Sequence, residues 1–125
     1  MHSLAKTCLN LVILAIAAGT AAAADYDAAM APYHTAFDAA QNEMASANRL
    51  NTVHDRAGTC MALSAAVIDF TSAASALDPV FAVLAGDTAL DDAKRAGLTA
   101  QAQQARDVAQ QNADGAKAAR DTMCG

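Results

Sequence analysis

The stretch YDAAMAPYHTAFDAAQNEMASA, residues 26–47, decides the fold of this chain. Its larger apolar side chains and two of its alanines recur at alternating steps of four and three residues, which places them on one face of an α-helix. The opposite, solvent-facing side is polar and consists of Asp38, Gln41, Asn42, Glu43 and Asn48. The stretch therefore predicts a helix that buries one face against other helices, and that face consists of Tyr26, Met30, Tyr33, Phe37, Ala40, Met44 and Ala47.

The two ends of this helix are less sharply marked. Proline is tolerated in the first turn of a helix, so Pro32 predicts that the regular helix begins within residues 29–32. At the other end, one interpretation stops the helix within residues 48–52, with Thr52 capping a second helix. Another continues it to Gly58, after which Thr59 caps the next helix. A change of apolar phase at Gly58 favours the second interpretation over both the first and a single unbroken helix.

Two further apolar stripes predict two more long helices. One is formed by Cys60, Leu63, Val67, Phe70, Ala74 and Leu77 and closes at Asp78-Pro79; the other runs through Leu98, Ala102, Ala105, Val108, Ala109, Asn112, Ala116 and Met123. The second of these stripes is almost entirely alanine, which forms helices readily but buries little surface. We therefore expect an all-α, alanine-rich, antiparallel bundle of three long helices with a short connecting element.

The connector, residues 79–97, combines an apolar strip with an acidic cluster. The strip, residues 80–84, either covers the bundle's own core or completes its burial on a partner. Asp87, Asp91 and Asp92 lack the ligand spacing of a calcium loop, and their position favours stabilisation of a helix amino terminus. Asp87 is expected to open a helical run, and Gly97 is expected to separate that run from the last long helix.

The first 24 residues predict export. A short basic head with Lys6, an apolar run over residues 9–18 and a run of small residues before Asp25 are typical of a cleaved secretory signal peptide. The apolar run is shorter than the roughly 20 residues of a spanning helix, so no stable membrane insertion is expected after cleavage. Residues 25–125 then form a single domain, periplasmic or secreted.

Export changes the interpretation of the cysteines. Cys8 lies within the predicted signal peptide, which leaves Cys60 and Cys124 as an even pair in an oxidising compartment. In an antiparallel bundle the start of the second long helix and the end of the last one lie at the same end. We therefore predict a disulfide between Cys60 and Cys124.

Charge and motifs narrow the function. The net charge of −5, one unit more negative without Lys6, disfavours nucleic acid and anionic membranes as partners. No catalytic, haem-attachment or phosphate-binding motif occurs in the sequence, so neither an enzyme nor a cofactor is predicted. Met30 and His34, four residues apart on one helix, are the best candidates for a soft metal such as copper or for haem, although core packing explains Met30 equally well. The favoured hypothesis is a structural or protein-interaction module of the cell envelope, acting on a protein partner or on itself; metal or haem binding in the bundle is the alternative.

Overall fold

The chain folds into four α-helices. The structure, a computed structural model, describes residues 20–125, with side-chain environments from Asp25 onward. The helices are α1 (Thr20–Thr52), α2 (Arg56–Ser75), α3 (Asp78–Gly86) and α4 (Asp92–Cys124), and this part of the chain contains no strand. The predicted all-α bundle with three long helices and one short connecting helix is confirmed for these residues. Residues 1–19 of the predicted signal peptide lie outside the described residues, and its cleavage stays a prediction.

Helix α2 is the centre of the bundle, because α1 and α4 both pack along it and make few contacts with each other. The predicted apolar stripes of α1 and α2 form most of the buried faces of those helices. Nine of the eighteen buried hydrophobic residues are alanine, so each helix contact removes little apolar area from water. Val108, which was predicted on the contact face of α4, is instead 38% exposed.

Helix α1 runs through Pro32, contrary to the prediction that it begins within residues 29–32. An interior proline removes one backbone hydrogen bond and costs roughly 3 kcal/mol. Tyr26 and Met30, on the amino-terminal side of Pro32, are both 8% exposed, and burying such side chains contributes roughly 1.5–3 kcal/mol each. Because Pro32 itself is exposed, the backbone groups beside it remain accessible to water. The burial of Tyr26 and Met30 therefore offsets the proline.

The favoured boundary at Gly58 is also wrong, since α1 ends at Thr52 and α2 begins at Arg56. Between the two helices, His54 adopts a left-handed conformation with φ of 61°. Asp55 caps α2 by accepting a 2.8 Å hydrogen bond from the Gly58 amide. A Cβ atom on residue 58 would stand 2.6 Å from the Asp55 carboxylate, so this position requires glycine to make room for the cap. Thr59, predicted as the cap, is buried inside α2 and donates its hydroxyl to the Asp55 carbonyl.

Helix α3 packs against both α1 and α4 and covers one end of the core. Val80 is fully buried and Leu84 is 2% exposed, which confirms that the apolar strip covers the protein's own core. Arg106 of α4 holds α3 from outside, through an ion pair with Asp78 and a position 4.6 Å from the centre of the Phe81 ring. Burial and a cationic contact together fix the short helix between its two neighbours.

The last helix is continuous from Asp92 to Cys124, so the predicted joint at Gly97 is absent. Asp91 caps α4 by accepting a 2.7 Å hydrogen bond from the Lys94 amide, so the acidic cluster does stabilise a helix amino terminus, but the prediction that Asp87 opens the helix is wrong. In the first turn, the Arg95 guanidinium donates to backbone carbonyls at the end of α3 and in the following loop, including a 2.9 Å bond to Leu84. These contacts fix the connector before the chain reaches Gly97.

The predicted disulfide between Cys60 and Cys124 is confirmed. The two Cα atoms lie 5.9 Å apart, within the ordinary range for a disulfide. It joins the first turn of α2 to the last turn of α4, at the end of the bundle opposite α3.

Candidate functional site

The candidate site is a groove between α1 and α4, at the level where α2, rather than α3, packs against both of them. Two buried clusters define that level. The cluster near α3 includes Val80 and Leu84, whereas the second cluster, Ala40, Ala66, Phe70, Ala113 and Ala116, draws only on the three long helices. The groove, termed here the α1–α4 groove, has a volume of about 490 Å³ and is lined by Gln41, Met44, Ala45, Asn48, Phe70, Gln111, Asn112, Gly115 and Ala116.

The α1–α4 groove combines an apolar floor with uncharged polar walls. Phe70 of α2 is 3% exposed and lies at its base, with its ring centre 5.3 Å from that of Phe37 in an edge-on arrangement. Met44 packs beside this cluster. The side-chain amides of the glutamine and asparagine residues in the groove can donate and accept hydrogen bonds, and they carry no charge. Gly115 leaves one wall open, because a Cβ atom added there would meet nothing within 4 Å.

A second feature lies on the other side of the core, where Glu43 of α1 meets Asp69 of α2. Both side chains are half-buried, and Oε1 of Glu43 has no hydrogen-bond partner among the described residues. Burial, a hydrogen bond with Asp69 and the negative charge of Asp69 raise the pKa of Glu43 from its usual value near 4.5 to about 7. Two carboxyl groups in contact share a proton more readily than they both ionise.

This pair predicts a pH-dependent stability. A carboxyl group whose folded-state pKa is raised stabilises the protein fully below about pH 4.5, and this contribution is lost as the pH rises through about 7. We expect Glu43→Gln to remove that loss and to stabilise the protein at pH 8 by roughly 1 kcal/mol, because the amide can donate to Asp69 at any pH. Urea unfolding between pH 5 and pH 8 measures both effects.

Asp38→Asn is the matched control, since it removes one exposed negative charge from the same helix and should leave the pH dependence of unfolding unchanged. Glu43 is the single glutamate of the chain, so carbon-13 labelling of its carboxyl group yields one resonance to titrate. A titration midpoint near pH 4.5 would contradict the assignment.

The two predicted metal or haem ligands lie in different environments. Met30 is buried in the core beside α3, whereas the His34 side chain is exposed and its ring centre lies 5.2 Å from that of Tyr33. Within residues 25–125, no three histidine, cysteine, aspartate or glutamate side chains lie close enough to hold a metal ion. His54 and Met123 do line one hollow of about 460 Å³, but Arg56 lines it as well, and its positive charge opposes a metal cation.

The comparisons supply no family. No protein-family model, no curated protein and no solved structure matches the chain. What the protein does must therefore be inferred from its own surfaces.

The sequence identified the floor of the α1–α4 groove but not its walls. Met44, Phe70 and Ala116 belong to the predicted contact stripes. Gln41 and Asn48 were assigned to the solvent face of α1, and their position beside a cavity depends on how far α1 stands from α4. The sequence does show glutamine and asparagine residues on both helices that border the groove. These residues are common on any exposed helix, so they did not identify a site.

Proposed function

We propose that this protein is an exported interaction module of the periplasm or the extracellular medium, which binds an α-helix of a protein partner in the α1–α4 groove. It acts by binding and has no catalytic role. In this proposal the signal peptide is cleaved before Asp25, and the three long helices run antiparallel. The disulfide supports an oxidising compartment, because such bonds persist mainly outside the cytosol.

The observation that carries the proposal is the open space between α1 and α4 above Phe70 of α2. Both of these helices pack along α2 and make few contacts with each other, which leaves the groove accessible from outside. A groove between two helices with an apolar base is the kind of surface on which an amphipathic helix of a partner packs.

The lining defines the chemistry of the bound helix. Phe70 and Met44 favour a partner face of small and aliphatic side chains, and the methionine can adapt to irregular shapes. The side-chain amides of the glutamine and asparagine residues favour uncharged hydrogen-bonding groups at the edges of the partner's apolar face. Because no charged side chain lines the groove, the affinity should depend only weakly on salt concentration.

Photo-crosslinking tests the groove directly. A photoreactive amino acid replaces Gln111, which lines the groove, or Gln110, an exposed α4 residue outside the groove lining that points to the other side of the helix. After irradiation in the host's envelope, mass spectrometry identifies the attached peptide. We expect position 111 to crosslink to a helical segment of one partner and position 110 to give no specific product.

A filled groove provides the matched comparison. Gly115→Leu places a side chain in the groove without a backbone clash and is expected to lower the crosslink yield at least about tenfold. Gly97→Leu makes the same change in open space on the same helix and should leave the yield unchanged. Both variants should be slightly more stable than the parent, because leucine is the better helix former. A crosslink at position 111 that survives Gly115→Leu would contradict the proposal.

A further inference from the structure

The outward face of α2 is uncharged and carries two of the exposed large apolar side chains of the described residues. Between Arg56 and Asp78 the sequence carries one charged residue, Asp69, and its side chain packs against Glu43 rather than on this face. Met61 and Ile68 project from it with 74% and 64% of their surfaces exposed. The stretch Arg56–Gly86, which contains α2 and α3, has the length and the apolar composition of a membrane-spanning helix, although no other observation places it in a membrane.

The α2 outer face, defined here by Met61, Ser64, Ala65, Ile68, Ser72 and Ser75, follows the four-and-three spacing of a helix–helix contact. Helices α1 and α4 pack along the other sides of α2 and carry most of the charged side chains, so hydrocarbon is a poor occupant of this face. A second helix can supply close packing around the small residues. The occupant should therefore be protein.

The order of side chains on this face suits pairing with a second copy, because two small residues, Ser64 and Ala65, lie midway between the two large ones. Met61 and Ile68 each stand about 5 Å along the helix axis from that midpoint. A two-fold axis through that midpoint places Met61 against Ile68 of a second copy, and Ile68 against Met61 of the second copy. The small Ser64 and Ala65 stand at the axis, where the two backbones must approach most closely.

Charge also favours a second copy. Each chain carries a net charge of −5, so two copies repel each other through most of their surfaces. The uncharged α2 outer face is where that repulsion is smallest. From these observations we infer that the protein forms an antiparallel two-fold dimer through the α2 outer face, independently of the groove.

The size of the face sets the strength of the dimer. Helix α2 has 20 residues and is about 30 Å long, so one helix pair buries less than the roughly 800 Å² per partner of a standard stable interface. The dimer should therefore be reversible, with a dissociation constant in the micromolar range or weaker.

Sedimentation velocity from about 10 µM to about 1 mM protein tests the association. The weight-average sedimentation coefficient of the parent protein should rise with concentration towards that of a dimer. Ile68→Asp and, separately, Met61→Asp should keep the protein monomeric throughout this range. Val108→Asp makes the same change at an exposed apolar position of α4 and should dimerise like the parent. Equal helical signal and thermal midpoint across the set confirm that every variant is folded.

A thiol-specific crosslink tests the symmetry while leaving the resident disulfide intact. Ala65→Cys, beside the proposed axis, should be joined to its own copy by a short bismaleimide. Ser75→Cys should not, because two residues 75 stand about 30 Å apart in an antiparallel pair. Efficient crosslinking at both positions would show a parallel pair and overturn the antiparallel assignment.

Two other outcomes would overturn the dimer itself. One is a parent protein that remains monomeric at the highest concentration. The other is a monomer that floats with phosphatidylcholine vesicles and loses this property in Ile68→Asp, which would assign the face to a membrane instead.

Discussion

Unfolding of the Cys60→Ala, Cys124→Ala double variant is expected to require about 4 kcal/mol less free energy than unfolding of the oxidised protein. The disulfide closes a loop with a sequence separation of 64, and the entropy that the unfolded chain loses by this closure depends on loop length. Domains of this size usually have a total stability of about 5–15 kcal/mol. Loss of the disulfide therefore removes a large part of what keeps the bundle folded.

Urea unfolding followed by circular dichroism measures this loss. Either single alanine variant should lose about as much stability as the double variant, because each breaks the same bond. Reduction of the parent protein should produce a similar loss without any change in sequence. A difference below about 1 kcal/mol between the oxidised parent and the double variant would show that the unfolded chain is already compact enough to need no crosslink.

The second large effect is expected for Leu77→Ala, with a loss of roughly 3 kcal/mol in the free energy of unfolding. Leu77 is fully buried in the cluster beneath α3, at the turn between α2 and α3. Removal of its three outer carbon atoms leaves a cavity that the surrounding helices fill only partly. The neighbouring alanines cannot extend into that cavity, so the loss should not fall at the low end of the range for leucine.

Val53→Ala is the control for the change in side-chain size. Val53 is 69% exposed in the loop between α1 and α2, and its truncation should change stability by less than about 0.5 kcal/mol. Urea unfolding measures the stability of both variants, and the two should show the same dependence of the unfolding free energy on urea concentration. Similar losses for Leu77→Ala and Val53→Ala would contradict the buried position of Leu77.

The helices themselves could be predicted from the sequence because the period of the apolar residues depends only on helix geometry. The stripe that begins with Tyr26 and Met30 lies on the buried face, and the stripe through Leu63 and Phe70 does the same for α2. The helix predictions needed no knowledge of how the helices are placed relative to each other. The disulfide prediction needed more, because it combined the even number of cysteines left after export with an assumed antiparallel order that brings two helix ends together.

The boundaries could not be predicted in the same way, because tertiary contacts override local preference. Pro32 stands inside a helix since the turns before it bury apolar side chains. Gly58 was interpreted as a terminator, yet it makes room for the Asp55 cap. Gly97 was interpreted as a joint, yet Arg95 holds the first turn of α4 against the preceding loop.

The candidate site was the least predictable part, because it depends on spacing between helices. Glu43 sits on the polar side of its helix, and nothing in the sequence indicates that it meets Asp69. In the same way, the walls of the α1–α4 groove become a site only because α1 and α4 both pack on α2 and stand apart from each other.

The disulfide and α3 stabilise opposite ends of the bundle by different means. We therefore expect one end to open before the other when the disulfide is reduced. Near α3, burial of leucine, valine and tyrosine side chains protects the backbone in any redox state. Nearer the disulfide, the buried face of α4 is formed by Ala113 and Ala116, which bury little area. In the reduced protein the last turns of α4 therefore exchange their amide hydrogens with solvent first, while the half nearest α3 remains closed. Reduction would thus loosen one wall of the groove before it unfolds the domain.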